Sequence, residues 1–93
     1  MPQADEAPPA YLADDIAAVW RELAPGSPST GPDFEAYCGQ VARLRDAQRR
    51  IGQEGMVVAD AKGNPMPHPA LAIERAAQAE VRAWGDRFRQ WRR

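Results

Sequence analysis

The chain has one cysteine, Cys38, one histidine, His68, and one lysine, Lys62, and each scarcity closes off a class of function. A lone cysteine excludes an internal disulfide and fits a reducing compartment. One Cys and one His cannot complete a zinc site within one chain. His68 stands between Pro67 and Pro69, where a cap or surface role outweighs metal binding or acid–base work. No glycine-rich phosphate loop is present, because Gly52-Gln-Glu-Gly55 lacks both a preceding strand and the Lys-Ser/Thr such a loop needs. No catalytic constellation emerges, so neither enzymatic activity nor a cofactor is expected. No apolar run approaches the roughly 20 residues of a membrane span. The start of the chain lacks the basic, apolar pattern of a signal peptide, so no membrane contact is expected.

With lysine nearly absent, eleven of the twelve basic residues are arginine, which favours planar bidentate contacts, although a GC-rich genome gives the same composition. The formal net charge of −1 supplies no global attraction to nucleic acid, but the charge is unevenly placed. Residues 1–24 hold five acids against Arg21, and residues 82–93 hold five arginines against Asp86. Ninety-three residues make one small domain. A chain of that size buries only about 60–65% of the surface its unfolded form exposes, so its stability margin is thin and self-association would widen it.

Residues 1–9, rich in proline and acid, have the composition of an unfolded arm, and residues 10–93 form one helical domain. Leu12, Ile16, Val19, Trp20 and Leu23 make one apolar stripe and predict a helix over 12–23, ended by Pro25 and Gly26. Asp14 and Asp15 sit in its first turn, where carboxylates suit the helix dipole. Residues 24–32 are a loop, and Thr30 with Asp33 reads as a capping box for a central helix over 33–54, closed preferably by Gly55. In that helix Phe34, Val41 and Gln48 fall seven apart, with Tyr37, Leu44 and Ile51 three residues after each, the spacing of a helix that packs along a seam. Gly39 lies off the seam and offers a place for a second helix to come close. Residues 55–68 predict a small β-hairpin or a bare loop, with Gly63 in the turn and prolines barring a long second strand. A last helix over 69–92, capped by His68 or the residue before it, carries Ile73, Ala77, Val81, Trp84, Phe88 and Trp91 as its stripe. The expected architecture is all-α: a short first helix and a long antiparallel hairpin of two similar helices with a small β element at its tip.

Three groups of residues stand out. The seam residues Phe34, Tyr37, Val41, Leu44 and Ile51 suit either an intrachain core or, as the short chain favours, a contact between subunits. Arg43, Arg45, Arg49 and Arg50, offset by Asp46, form either a solvated face or a basic track that grips phosphates without reading bases. Trp84, Arg87, Phe88, Trp91 and Arg92 have the aromatic and arginine content of a docking segment.

The order Pro9-x-x-Leu12, Trp20-x-x-Leu23, Tyr37-Cys38 inside a helix, Glu54-Gly-Met-Val-Val58, a turn at Gly63 and Pro67-His-Pro-Ala-Leu-x-Ile73 resembles the small terminase subunits of tailed phages, most of all the branch serving cos-type and related packaging motors. The resemblance runs from about Pro9 to Trp84. It implies a non-enzymatic part of a DNA-packaging motor in the cytoplasm of a bacterial host. Such a part assembles into a homo-oligomeric ring larger than a dimer, holds double-stranded DNA weakly and without sequence preference, and recruits the large terminase subunit that carries the ATPase and nuclease. On that reading the seam residues hold the ring, the central arginines meet DNA, and the C-terminal group docks the large subunit. The chain departs from the family where members commonly turn after the last helix, since here Asp86 to Arg93 runs on as helix. It also lacks a separate helix-turn-helix before Leu12, which speaks against sequence-specific reading. A short form of this kind suits a prophage remnant or a phage-derived gene transfer particle. A small dimeric DNA-binding regulator and a helical assembly adaptor are the alternatives, and a neighbouring large-terminase gene would separate them from a packaging component.

Overall fold

The computed structural model describes residues 7–88. Three α-helices and a two-stranded antiparallel sheet follow in the order α1 (Asp14–Leu23), α2 (Pro32–Glu54), β1 (Val57–Ala59), β2 (Pro65–Pro67) and α3 (Ala70–Trp84), with 3-10 turns at Ala24–Gly26 and Gly85–Phe88. α2 and α3 form the antiparallel hairpin, α1 packs on α2, and the β-hairpin makes the tip. The expected arm over 1–9 lies outside the described residues except for 7–9.

α1 starts two residues later than the apolar stripe predicts, since Leu12 sits in a turn whose amide donates to the Pro9 carbonyl at 3.2 Å. Its stripe buries Val19 and Trp20, and the helix ends in the Ala24–Gly26 turn containing Pro25. α2 begins at Pro32, with Gly31 rather than Thr30 in the N-cap position, and Pro32 presets the first helical turn. Gly55 closes α2 at φ +86°, ψ 165°, a conformation essentially reserved for glycine. Tyr11 ties the approach to α1 onto the start of α2, its hydroxyl donating to Glu35 Oε1 at 2.5 Å.

At the tip, the His68 amide donates to the Met56 carbonyl and the Asp60 amide to Asn64, both at 2.8 Å. Hydrogen-bonded pairs alternate in an antiparallel ladder, so 58 with 66 is the bonded pair between them, and Val57↔Pro67 and Ala59↔Pro65 fall at non-bonded positions. The two prolines of β2 therefore forfeit no ladder bond. The turn is held by Asp60, whose Oδ1 accepts from the amides of Lys62 and Asn64 at 2.9 Å each, while Gly63 takes φ +84°. These amides hold the Asp60 carboxyl below the usual range, Asn64 contributing most.

α3 differs most from expectation. It is 15 residues long against 23 for α2, and the predicted helix to residue 92 gives way at Gly85 to a 3-10 turn. The inward stripe is Ala70, Glu74, Ala77, Val81, Gly85 and Phe88 rather than one led by Ile73 and Trp84, which are 43% and 41% exposed. Ala70 and Ala77 are small and buried, which lets α3 lie along α2, and Gly85 is buried just past its end. Phe88 is brought back against Phe34 and Tyr37, with ring centroids 5.6 and 5.2 Å apart. Trp20 meets Phe34 edge-on at 6.2 Å, and these rings with Val19, Cys38, Val41 and Ala42 form the core. α1 passes over Gly39, but Ile16 Cδ1 would sit 3.8 Å from an added Cβ, so the approach does not depend on glycine there.

Candidate nucleic-acid and partner interfaces

The seam of α2 is divided by the fold. Phe34 is fully buried and Val41 nearly so, both inside one chain, because α1 and the Gly85–Phe88 turn close over that side. Their expected role in a contact between subunits is therefore corrected: they hold the monomer together. Tyr37, Leu44 and Ile51 are half-buried and Gln48 is exposed.

The arginines expected to form one basic track are likewise split. Successive helical residues turn by about 100°, which places Arg43 and Arg50 on one side of α2 and Arg45 and Arg49 on another, with Asp46 between. Arg43 and Arg50 border a groove of ≈550 Å³ between α2 and α3, lined also by Asp46, Ala72, Ile73, Ala76, Ala77 and Glu80. Arg45 and Arg49 border a groove of ≈300 Å³ between α2 and α1. Arg45 holds Glu22 through Nη1–Oε2 at 2.5 Å and Nη2–Oε1 at 3.3 Å, a bidentate contact that fastens α1 to α2. Asp46 takes Arg49 Nη2 at 2.5 Å and Arg50 Nε at 3.0 Å. Hydrogen bonding from Arg45 holds Glu22 below the usual carboxylate range, and hydrogen bonding from Arg49 does the same for Asp46. Each guanidinium has five N–H donors, so pairing with one carboxylate leaves donors directed outward for phosphate. Arg43 has no ion-pair partner among the described residues.

Of the docking group, Trp84 is exposed and Arg87 stacks on it, its guanidinium 4.8 Å from the ring centroid. Phe88 is corrected to a core residue: at 7% exposure it faces Phe34 and Tyr37 and cannot anchor a partner. Trp91 and Arg92 lie outside the described residues. Tyr37, Trp84 and Phe88 wall a pocket of ≈150 Å³ with Asp33 and Glu80 on its lining.

His68 is a clamp that sequence reasoning found only in part. Its Nδ1 accepts from the Ala70 amide at 2.9 Å, as a cap for α3 should. That bond leaves the proton on Nε2, which donates to Glu54 Oε1 at 2.5 Å, so one buried ring joins the end of α2 to the start of α3. The prolines on either side signal a fixed residue; the Glu54 partner, fourteen positions away, has no local signal. Among the described residues no cluster of His, Cys, Asp and Glu is placed to hold a metal, and no helix is long and apolar enough to cross a membrane.

The family model described as phage terminase, small subunit, matches residues 14–89, from the first residue of α1 to just past the last described one. No curated protein and no solved structure matches the chain.

Proposed function

The chain belongs to the phage terminase small-subunit family, and on that premise we propose that it is the non-catalytic small subunit of a viral or virus-derived DNA-packaging motor. In this reading it self-associates beyond a dimer, holds duplex DNA through phosphate contacts, and recruits the large terminase subunit. Membership of the family points to DNA packaging; the remaining steps rest on the chain's own surfaces.

The observation that carries the DNA reading is the exposure of four arginines on one helix, Arg43 and Arg50 on one side and Arg45 and Arg49 on another, with ion pairs formed to Glu22 and Asp46. Phosphate contact of this kind is weak, salt-dependent and indifferent to sequence. Self-association is supported by the shape of the molecule: its Cα radius of gyration is 16.0 Å, against about 12 Å for a compact chain of this length. Leu44 and Ile51, half-buried, and Ile73, exposed, leave apolar surface outside the core. The large subunit is met by Trp84 and Arg87, with Trp91 and Arg92 beyond the described residues.

Binding to a random duplex should fade between low and physiological salt, and Arg49→Glu with Arg50→Glu should abolish what remains at low salt. Tight binding to one site that survives high salt would contradict the reading and favour a regulator. Light scattering should report a mass several times that of the 10.3 kDa chain, lowered by Leu44→Asp. A monomer at tens of micromolar would remove the ring.

A further inference from the structure

The β-hairpin at the tip has two outer edges, and its register makes them unequal. In an antiparallel ladder the residues at non-bonded positions turn their backbone groups away from the neighbouring strand, so Pro65 and Pro67 face outward from β2, and Val57 and Ala59 from β1. Proline carries no N–H, so the β2 edge has no donor at either outward position. The β1 edge has both donors, for among the described residues the amides of Val57 and Ala59 meet no backbone acceptor and the sheet has no third strand. Apolar side chains stand along this open edge: Met56 is 65% and Val57 63% exposed, and no charge falls between Gly55 and Ala59. An uncharged edge with unpaired amides is a template for another strand.

We propose that the β1 edge pairs with the same edge of a second copy, antiparallel about a two-fold axis at Val58, to make a four-stranded sheet. The inequality of the edges sets the geometry. A head-to-tail sheet needs donors from the β2 edge, which its prolines lack, so two copies meet β1 to β1. Placing Val57 opposite Ala59 of the second copy brings all four outward amides onto carbonyls and leaves the two Val58 residues facing each other as a non-bonded pair. Charge favours the antiparallel sense. It carries Lys62 of each copy toward the strand end where Glu54 of the other stands, whereas a parallel pair sets Glu54 beside Glu54 and Lys62 beside Lys62. The contact uses none of Leu44, Ile51 and Ile73. A two-fold contact closes on two chains, so it adds to a ring built on the helices rather than building one, and it does not rest on the packaging reading.

Oxidative cross-linking of introduced cysteines in the full chain tests the contact. Cys38 is fully buried, so the unsubstituted protein should remain a single chain on a non-reducing gel. Across the axis the two Val58 Cα atoms lie about 4.5 Å apart, within reach of a disulfide, while the two Val57 positions are diagonal neighbours at about 7–8 Å, beyond it. Val58→Cys should therefore run at twice the mass of the 10.3 kDa chain and Val57→Cys should not, although Val57 is the more exposed of the two. Adding Ala59→Pro removes one outward amide and no ladder bond of the hairpin. It should bring the Val58→Cys dimer down to the level of Val57→Cys while the circular dichroism is unchanged, and the comparison of Val58 with Val57 stands without it if that variant folds poorly. No dimer from purified Val58→Cys, as when a strand of another protein is the occupant, would overturn the proposal. So would equal cross-linking at Val57, or a dimer indifferent to a folded Ala59→Pro.

Discussion

Replacing Phe34 with alanine separates a core role from a subunit-contact role more sharply than any other single substitution. The ring is fully buried and makes two edge-on contacts, with Trp20 and with Phe88, so its removal leaves a cavity among groups fixed on three different segments. Phe→Ala at such sites costs about 3–5 kcal/mol, a figure that already contains the two aromatic contacts. A domain of 93 residues has a total stability of roughly 5–14 kcal/mol, so the variant should lose from about a fifth to all of it. With a urea dependence of about 2 kcal/mol per molar, the midpoint should fall by roughly 1.5–2.5 M. Urea titrations followed by far-ultraviolet circular dichroism at two protein concentrations give the measurement. The loss should be the same at both, because all of Phe34's partners belong to its own chain. A loss below 1 kcal/mol, or one that disappears as concentration rises, would refute the assignment of Phe34 to the monomer core.

Three further substitutions or titrations follow from the same structure. His68→Ala should cost about 1–3 kcal/mol, because it strands the Ala70 amide and frees Glu54 at the base of the hairpin; thermal unfolding checks it. Gly55→Ala should cost about 1–3 kcal/mol from backbone conformation alone, since the nearest atom to an added Cβ is 3.8 Å away, whereas Gly52→Ala, inside α2 and in open space, should be neutral or stabilising in the same melts. Burial, with a smaller contribution from the charge of Glu35, pushes the Cys38 thiol up to about 11. The folded chain therefore retains a proton that the unfolded chain loses near pH 9. The associated stability is fully present below pH 9 and declines as pH rises toward 11. Thiol labelling at pH 8 should accordingly proceed only as fast as the protein opens.

The punctuation of the chain was legible in the sequence because it is local. Pro25-Gly26 and Gly55 end helices for reasons of backbone conformation that a single residue carries. Sequence alone allows either a β-hairpin or a bare loop at the tip, since whether prolines exclude a strand depends on which ladder positions they occupy, and that is a property of the pairing. The buried face of α3 is not legible from hydrophobicity, which ranks Ile73 and Trp84 above alanine and glycine. The contact with α2 instead takes Ala70 and Ala77, with Gly85 and Phe88 buried in the turn that follows, and leaves Ile73 and Trp84 exposed. The same preference for sequence-local reading made one track of Arg43, Arg45, Arg49 and Arg50, which the helical turn divides between two grooves. The bidentate hold of Arg45 on Glu22, the Glu54 partner of His68 and the aromatic pocket all join residues far apart in the chain and have no signature in any one stretch.

The packaging role is tested most directly by nuclease-protected DNA recovered from particles made with and without this gene. Without it heads should still assemble while protected DNA falls to background; the intact gene should restore it, and the Arg49→Glu, Arg50→Glu form should not. Protected DNA at its usual level in particles lacking the protein would contradict the central claim.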